Sequence, residues 1–267
     1  MNLTVNGKAL SNIFNVTSRE VHDAPAKDIT AVEVPGRSGN ALLPNHRFKN
    51  KIITYDGFIK ARQDLQMTDW GKLSFVARVL KGFAAGPLDA GYLTIEDDYD
   101  PGFTRYGYLE GEIPIMPVLG QPYGATAKIR FNCKPFMYDE STTETITSFP
   151  KYLYNEEFYS ALPYMEITWT GTTAWIKIET DSVTEPVGNT WTFTESTSGT
   201  YVYCCDSENM EWYAGNALKN ANVTTASTEP VFPILGAPLP TGSVGQNKIT
   251  ASSNVSKIVI KPRWRRL

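Results

Sequence analysis

Tyr164-Met165-Glu166-Ile167-Thr168-Trp169-Thr170-Gly171-Thr172-Thr173-Ala174-Trp175-Ile176-Lys177-Ile178-Glu179 is the stretch that decides the fold class. On each side of Thr170–Thr173 the apolar residues recur at every second position, the period of a half-buried strand. With Gly171 in the middle, the spacing predicts a hairpin: strands at 164–169 and 174–179, a turn at 170–173. Downstream, Trp191-Thr192-Phe193-Thr194 alternates with its aromatics inward. Thr200 to Cys205, Met210 to Tyr213 and Lys257 to Lys261 follow as further strands. Short strands separated by frequent turns point to a sandwich or barrel. Composition agrees. There are 8 threonines in residues 1–140 and 20 in residues 141–256, and β-branched threonine suits exposed strand faces. Residues 141–256 carry 4 basic and 12 acidic side chains, whereas residues 257–267 carry 5 basic and none acidic. Residues 141–267 are therefore predicted to form a β-sandwich domain.

Residues 1–140 read differently, with 16 basic and 16 acidic side chains. Leu3-Thr4-Val5 runs into Asn6-Gly7, a hairpin-turn pair. Ile29 to Val34 alternates and stops at Pro35-Gly36, and Lys51 to Ile59 is another strand. One helix is predicted, with Thr68 as N-cap, an apolar stripe of Trp70, Leu73, Val76, Val79 and Leu80, and Gly82 at its end. Strands resume at Tyr92–Ile95, Arg105–Leu109 and Thr126–Phe131. The first 140 residues are thus expected to be an antiparallel β domain with one helix, making the whole chain mainly β (α+β).

The 267 residues carry a formal charge of −3, a poor balance for general nucleic-acid binding. No apolar run reaches the ~20 residues of a membrane span. The start MNLTVNGKAL lacks the basic and apolar regions of a secretory signal. The three cysteines, Cys133, Cys204 and Cys205, show no metal-ligand spacing and read as free thiols. On this reading the sequons at Asn2, Asn15, Asn222 and Asn254 are chance matches.

No catalytic set emerges. The only histidines, His22 and His46, sit in loop-like contexts without a nucleophile motif. Asp97, Asp98 and Asp100 hint at a calcium loop, but Pro101 interrupts it and no downstream glutamate fits, so they read as a solvated turn. Glu156-Glu157 has no partner signal. The chain is expected to be no enzyme and to hold no metal or cofactor. The 6 Trp, 14 Tyr and 12 Phe leave one alternative open: a lectin-like sandwich whose exposed aromatics stack on sugar rings for adhesion to a host surface. Against it, Trp169, Trp175 and Trp191 could alternate into the core or sit at subunit contacts.

Three stretches carry a resemblance when taken in order. They are Val5-Asn6-Gly7-Lys8 leading to Glu33-Val34-Pro35-Gly36-Arg37-Ser38-Gly39, then Phe131 to Tyr138, and then Val231 to Leu235 with Gly245 to Ile249 and the end Ile258 to Leu267. Over nearly the whole chain this resembles the distal tail protein (Dit) family of long, non-contractile-tailed phages, in its minimal form. The resemblance implies a virion structural protein assembled in the bacterial host cytoplasm and located at the distal end of the tail. It implies a homo-hexameric ring built by the N-terminal domain, and a galectin-like C-terminal sandwich that serves as a docking platform. The implied partners are the tail tube protein above and a tip, fibre or receptor-binding protein below. DNA would pass through the lumen without specific binding, and no membrane is involved. Where many members end Arg-Glu-Leu, this chain ends Arg265-Arg266-Leu267.

Within this frame the motifs acquire roles. Pro35, Gly36 and Gly39 shape a sharp turn that presents Arg37 to a neighbouring subunit. Pro135 marks the crossover between domains, since it cannot donate to a central ladder. Arg263, Trp264 and Arg265 are interface candidates, through guanidinium–indole stacking or pairing with a neighbour.

Overall fold

A computed structural model describes residues 1–19, 24–36, 38–60, 64–89, 91–118, 124–180, 188–228, 231–238 and 245–267. The chain is mainly β and divides into two compact units, Met1–Met137 with Leu267, and Tyr138–Arg266.

In the first unit a sheet runs in the order Lys8–Ala9, Leu3–Val5, Leu93–Asp97, Phe103–Leu109, Gly124–Asp139, Lys51–Lys60, Phe14–Arg19. Asn6 and Gly7 turn the first hairpin with φ of 49° and 70°, the positive pair that matches strand twist. The helix Asp69–Ala85 packs on Lys51–Lys60 and Phe103–Leu109, burying Leu73, Val76, Leu80 and Ala84. Thr68 is its N-cap, its hydroxyl accepting from the Gly71 amide at 3.3 Å. The predicted end at Gly82 is too early. The helix continues through Phe83 and Ala84, which pack against the core, and stops at Gly86, whose φ of 69° few other residues adopt. Trp70 also departs from prediction: it lies in the first turn and is exposed.

In the second unit the predicted hairpin at 164–179 is a single strand, Tyr164–Thr180. Alternation was the right signal, but the glycine in it marks a bulge rather than a turn. Before it Met165, Ile167 and Trp169 point inward; after it Ala174, Ile176 and Ile178 do, a change from odd to even. The register shift falls between Gly171 and Thr173, where Gly171 has φ 102°. Its partner is likewise one strand, Gly188–Asp206, which joins the two segments predicted at 191–194 and 200–205. The first half of Tyr164–Thr180 also pairs with Val255–Lys261, and the second half with Gly245–Ala251. The two long strands therefore pass from one layer of the sandwich into the other. Trp169 lies 6.2 Å from Phe193 and 5.7 Å from Tyr203, and Phe193 meets Trp212 at 5.3 Å, so one aromatic cluster joins the layers.

A polar pin closes this core. Asn155 and Asn247 are fully buried. The Asn247 side chain accepts from the Gly236 amide at 2.7 Å and donates to the Gly245 carbonyl at 3.2 Å. Asn155 donates to the carbonyls of Gly236 and Tyr159. At Gly245 a Cβ would lie 2.7 Å from the Gly236 carbonyl oxygen, so only glycine allows this approach. Asn247→Ala orphans the buried Gly236 amide, and we expect a loss of about 1–3 kcal/mol. Urea unfolding followed by tryptophan fluorescence checks this, because five of the six tryptophans lie in the second unit.

Candidate assembly interface

The excursion between strands Phe14–Arg19 and Lys51–Lys60 is an arm. Among the described residues its strands Lys27–Val32 and Ala41–Phe48 pair only with each other. The register opposes Ile29 to Pro44, Thr30 to Leu43, Ala31 to Leu42 and Val32 to Ala41. One face thus carries Ile29, Ala31, Leu42 and Pro44; the other carries Val32, Ala41 and Leu43 beside Thr30. Both faces are largely apolar and both are exposed, with Leu42 63% and Leu43 54% accessible. An isolated two-stranded ribbon is marginally stable in water at best. Among the described residues it is supported by an Arg47–Asp28 ion pair at 2.7 Å, an Asn45–Thr30 hydrogen bond, the Lys49 amide on the Ala26 carbonyl at its root, and Phe48 meeting Phe136 edge-on at 5.8 Å where the arm joins the unit. The Arg47 hydrogen bond holds the Asp28 carboxyl below its ordinary value.

Pro35, Gly36 and Gly39 lie at the tip, the two glycines with φ of 80° and 85°. Arg37 lies outside the described residues, as does His22. His46 is on the arm, exposed, with φ 52°.

At the arm's root the three aspartates are not the solvated turn predicted from sequence. Asp97, whose side chain is 2% accessible, accepts from Arg19 Nη1 at 2.7 and 2.8 Å, from the Tyr55 hydroxyl at 2.6 Å, and from the amides of Tyr99 and Asp100. Asp100 bridges Arg19 at 2.9 Å and Arg105 at 2.5 Å, and Arg19 stacks over the Tyr99 ring at 4.5 Å. Only Asp98 reads as expected, capping the Asn2 amide at the exposed edge. Burial raises the Asp100 carboxyl, but the Arg19 hydrogen bond and the Arg105 charge outweigh it and hold the group below its ordinary value. Burial first, and then the Asp97 charge, push the Tyr55 phenol well above its usual range. This network fixes the end of strand Phe14–Arg19, where the lead-in to the arm begins. Nothing in local sequence revealed it, because Arg19 and Asp97 are 78 positions apart.

Pro135 sits inside the continuous strand Gly124–Asp139, two residues before the boundary between the units. The ladder to Lys51–Lys60 ends at Cys133, so the missing amide of Pro135 breaks nothing there. The Cys133 thiol is buried and pushed up to about 12 by desolvation, which makes it inert.

At the C-terminus Arg263, with φ 54°, donates to Asp206 Oδ1 at 2.9 Å and stacks on the Tyr164 ring at 5.7 Å, a phenol rather than the predicted indole. Trp264 packs on the core of the second unit, and its carbonyl accepts from the Asp139 amide at 2.8 Å. Arg265 Nε donates to the Ser160 carbonyl. All three residues stay partly accessible. Among the described residues no group of three His, Cys, Asp or Glu side chains could hold a metal ion, and no helix is long and apolar enough to cross a membrane.

This architecture has a solved counterpart. Dit (gp 19.1) of SPP1, described as a paradigm of the hub adsorption apparatus in phages that infect Gram-positive bacteria, superposes with a TM-score of 0.69 over 100% of this chain and 99% of that one. The chain has a Dit-like fold. The two sequences are only 13% identical, so the likeness lies in the architecture. No family model and no curated protein matches the sequence.

Proposed function

We propose that the chain is a structural protein of a phage tail tip: a hub whose subunits close into a ring and adapt the tail tube to the adsorption apparatus below. The observation that carries this reading is the likeness to a hub protein over 100% of this chain and 99% of that one. The arm supports it physically. A ribbon apolar on both faces needs cover from outside its own chain, and a heterologous contact repeated around an axis produces a ring. In this reading residues 1–140 form the ring and residues 141–267 the outward docking platform. Arg37, Arg263, Trp264 and Arg265 are the residues assigned to subunit contacts. The lumen passes DNA without binding it, the virion tail end is the location, and assembly takes place in the bacterial cytoplasm. The chemistry assigned is mechanical support, not catalysis.

Absolute mass by light scattering across protein concentration tests the proposal. The expected species contains about six chains, a closed cyclic assembly. A strict monomer at every concentration would overturn self-assembly.

A further inference from the structure

We propose that the outer face of one sandwich layer in the second unit binds an extended oligosaccharide. The face is built from Lys151–Asn155, Gly245–Ala251, the second half of Tyr164–Thr180 and the first half of Gly188–Asp206. Trp169, Trp191 and Trp212 are buried in this unit, yet Trp175 stands 39% accessible on this face. At the opposite corner Tyr152 and Tyr154 are 40% and 51% accessible. The register aligns Tyr152 with Lys248, and Lys248 with Glu179, so Trp175 lies two strands across and four residues along from Tyr152. Standard strand spacings put the Cα atoms of the two residues roughly 17 Å apart, a span suited to a short run of linked pyranose rings.

The floor between the rings is polar and already ordered. Glu179 is held by Lys177 at 2.6 Å and Lys248 at 3.4 Å, and just beyond Tyr152, Gln246 Nε2 donates to the Tyr154 hydroxyl at 3.4 Å. Threonines 190, 192 and 250 fill the remaining outward positions. A protein partner is the poorer match, because interface cores are depleted of charge, and this floor is centred on an ion triad. A sugar offers what the face offers in reverse: an apolar ring face for each aromatic, and hydroxyls at the edge for carboxylate, ammonium and threonine groups. Because the charged groups are held in place before binding, little side-chain ordering is left to oppose it. The inference does not depend on the hub reading; it adds an adhesive surface to whatever assembly the chain forms.

The full chain on a glycan array of bacterial surface polysaccharides, with N-acetylglucosamine oligomers and α-glucans as soluble probes, tests it. Binding is expected, and Trp175→Ala and Tyr152→Ala should each weaken it by about tenfold. Trp175→Phe should restore part of the loss, since it returns a stacking ring without the indole. These side chains are exposed, so the melting transition should be unchanged and serves as the folding control. A blank array overturns the proposal. So does binding that the Trp175→Ala, Tyr152→Ala double variant leaves intact.

Discussion

Asp97→Ala is expected to destabilise the first unit by about 3–5 kcal/mol, the cost of leaving one member of a buried ion pair without its partner. The side chain holds together elements far apart in sequence: strand Phe14–Arg19 through Arg19, strand Lys51–Lys60 through Tyr55, and its own turn through the Tyr99 and Asp100 amides. Alanine leaves the Arg19 guanidinium with Asp100 alone among these carboxylates, and strips the buried Tyr55 hydroxyl of its acceptor. Hydrogen exchange of strands Phe14–Arg19 and Leu93–Asp97 is the measurement that isolates the effect. Tryptophan fluorescence mostly reports the second unit and should move little. A variant within about 0.5 kcal/mol of the parent, the range of an ordinary surface change, would show that the network contributes no net stability.

The same network sets an acid limit. The Asp100 carboxyl is held below its ordinary value when folded, so its contribution is complete above the unfolded value of about 3.9 and is lost as pH falls through the lower, folded one. Denaturation between neutral pH and pH values below that unfolded value should show the first unit weakening at the acid end. In Asp100→Asn that part of the slope should be absent, with a lower stability at neutral pH.

The second large effect concerns the arm. Replacing both Leu42 and Leu43 by aspartate should abolish the assembled species while leaving the monomer's melting unchanged, because both side chains are exposed in the chain alone. Burial of each leucine at a contact is worth about 1.5–3 kcal/mol. The two residues lie on opposite faces of the ribbon, so single variants report whether one face or both are covered. Light scattering and negative-stain microscopy read the outcome directly. A double variant that assembles like the parent would remove the arm from the interface.

Strand content was legible because its signal is local. Met165, Ile167 and Trp169, and then Ala174, Ile176 and Ile178, announce an inward face whatever follows. What the glycine between them does was not legible, since a turn and a layer-crossing bulge both call for a residue tolerant of positive φ. The arm was legible as a strand ending at Pro35-Gly36, but not as an uncovered ribbon. The alternation of Ile29 to Val34 resembles that of any half-buried strand, and only the register with Leu42 and Leu43 reveals that the opposite face is apolar too. The buried roles of Asp97 and Asp100 were not legible for a related reason. A carboxylate is placed in solvent by default, and the arginine and tyrosine that pair with it arrive from distant strands.

The shared strands of the second unit have a mechanical consequence. In a sandwich of separate sheets, a force prying the layers apart works against side-chain packing alone. Here Tyr164–Thr180 and Gly188–Asp206 are covalent in both layers and run antiparallel to each other through the bend. Load applied to one layer is carried along two backbones into the other and resisted in shear by the ladder between them, rather than opened one bond at a time. A sandwich built this way transmits tension without parting at the seam.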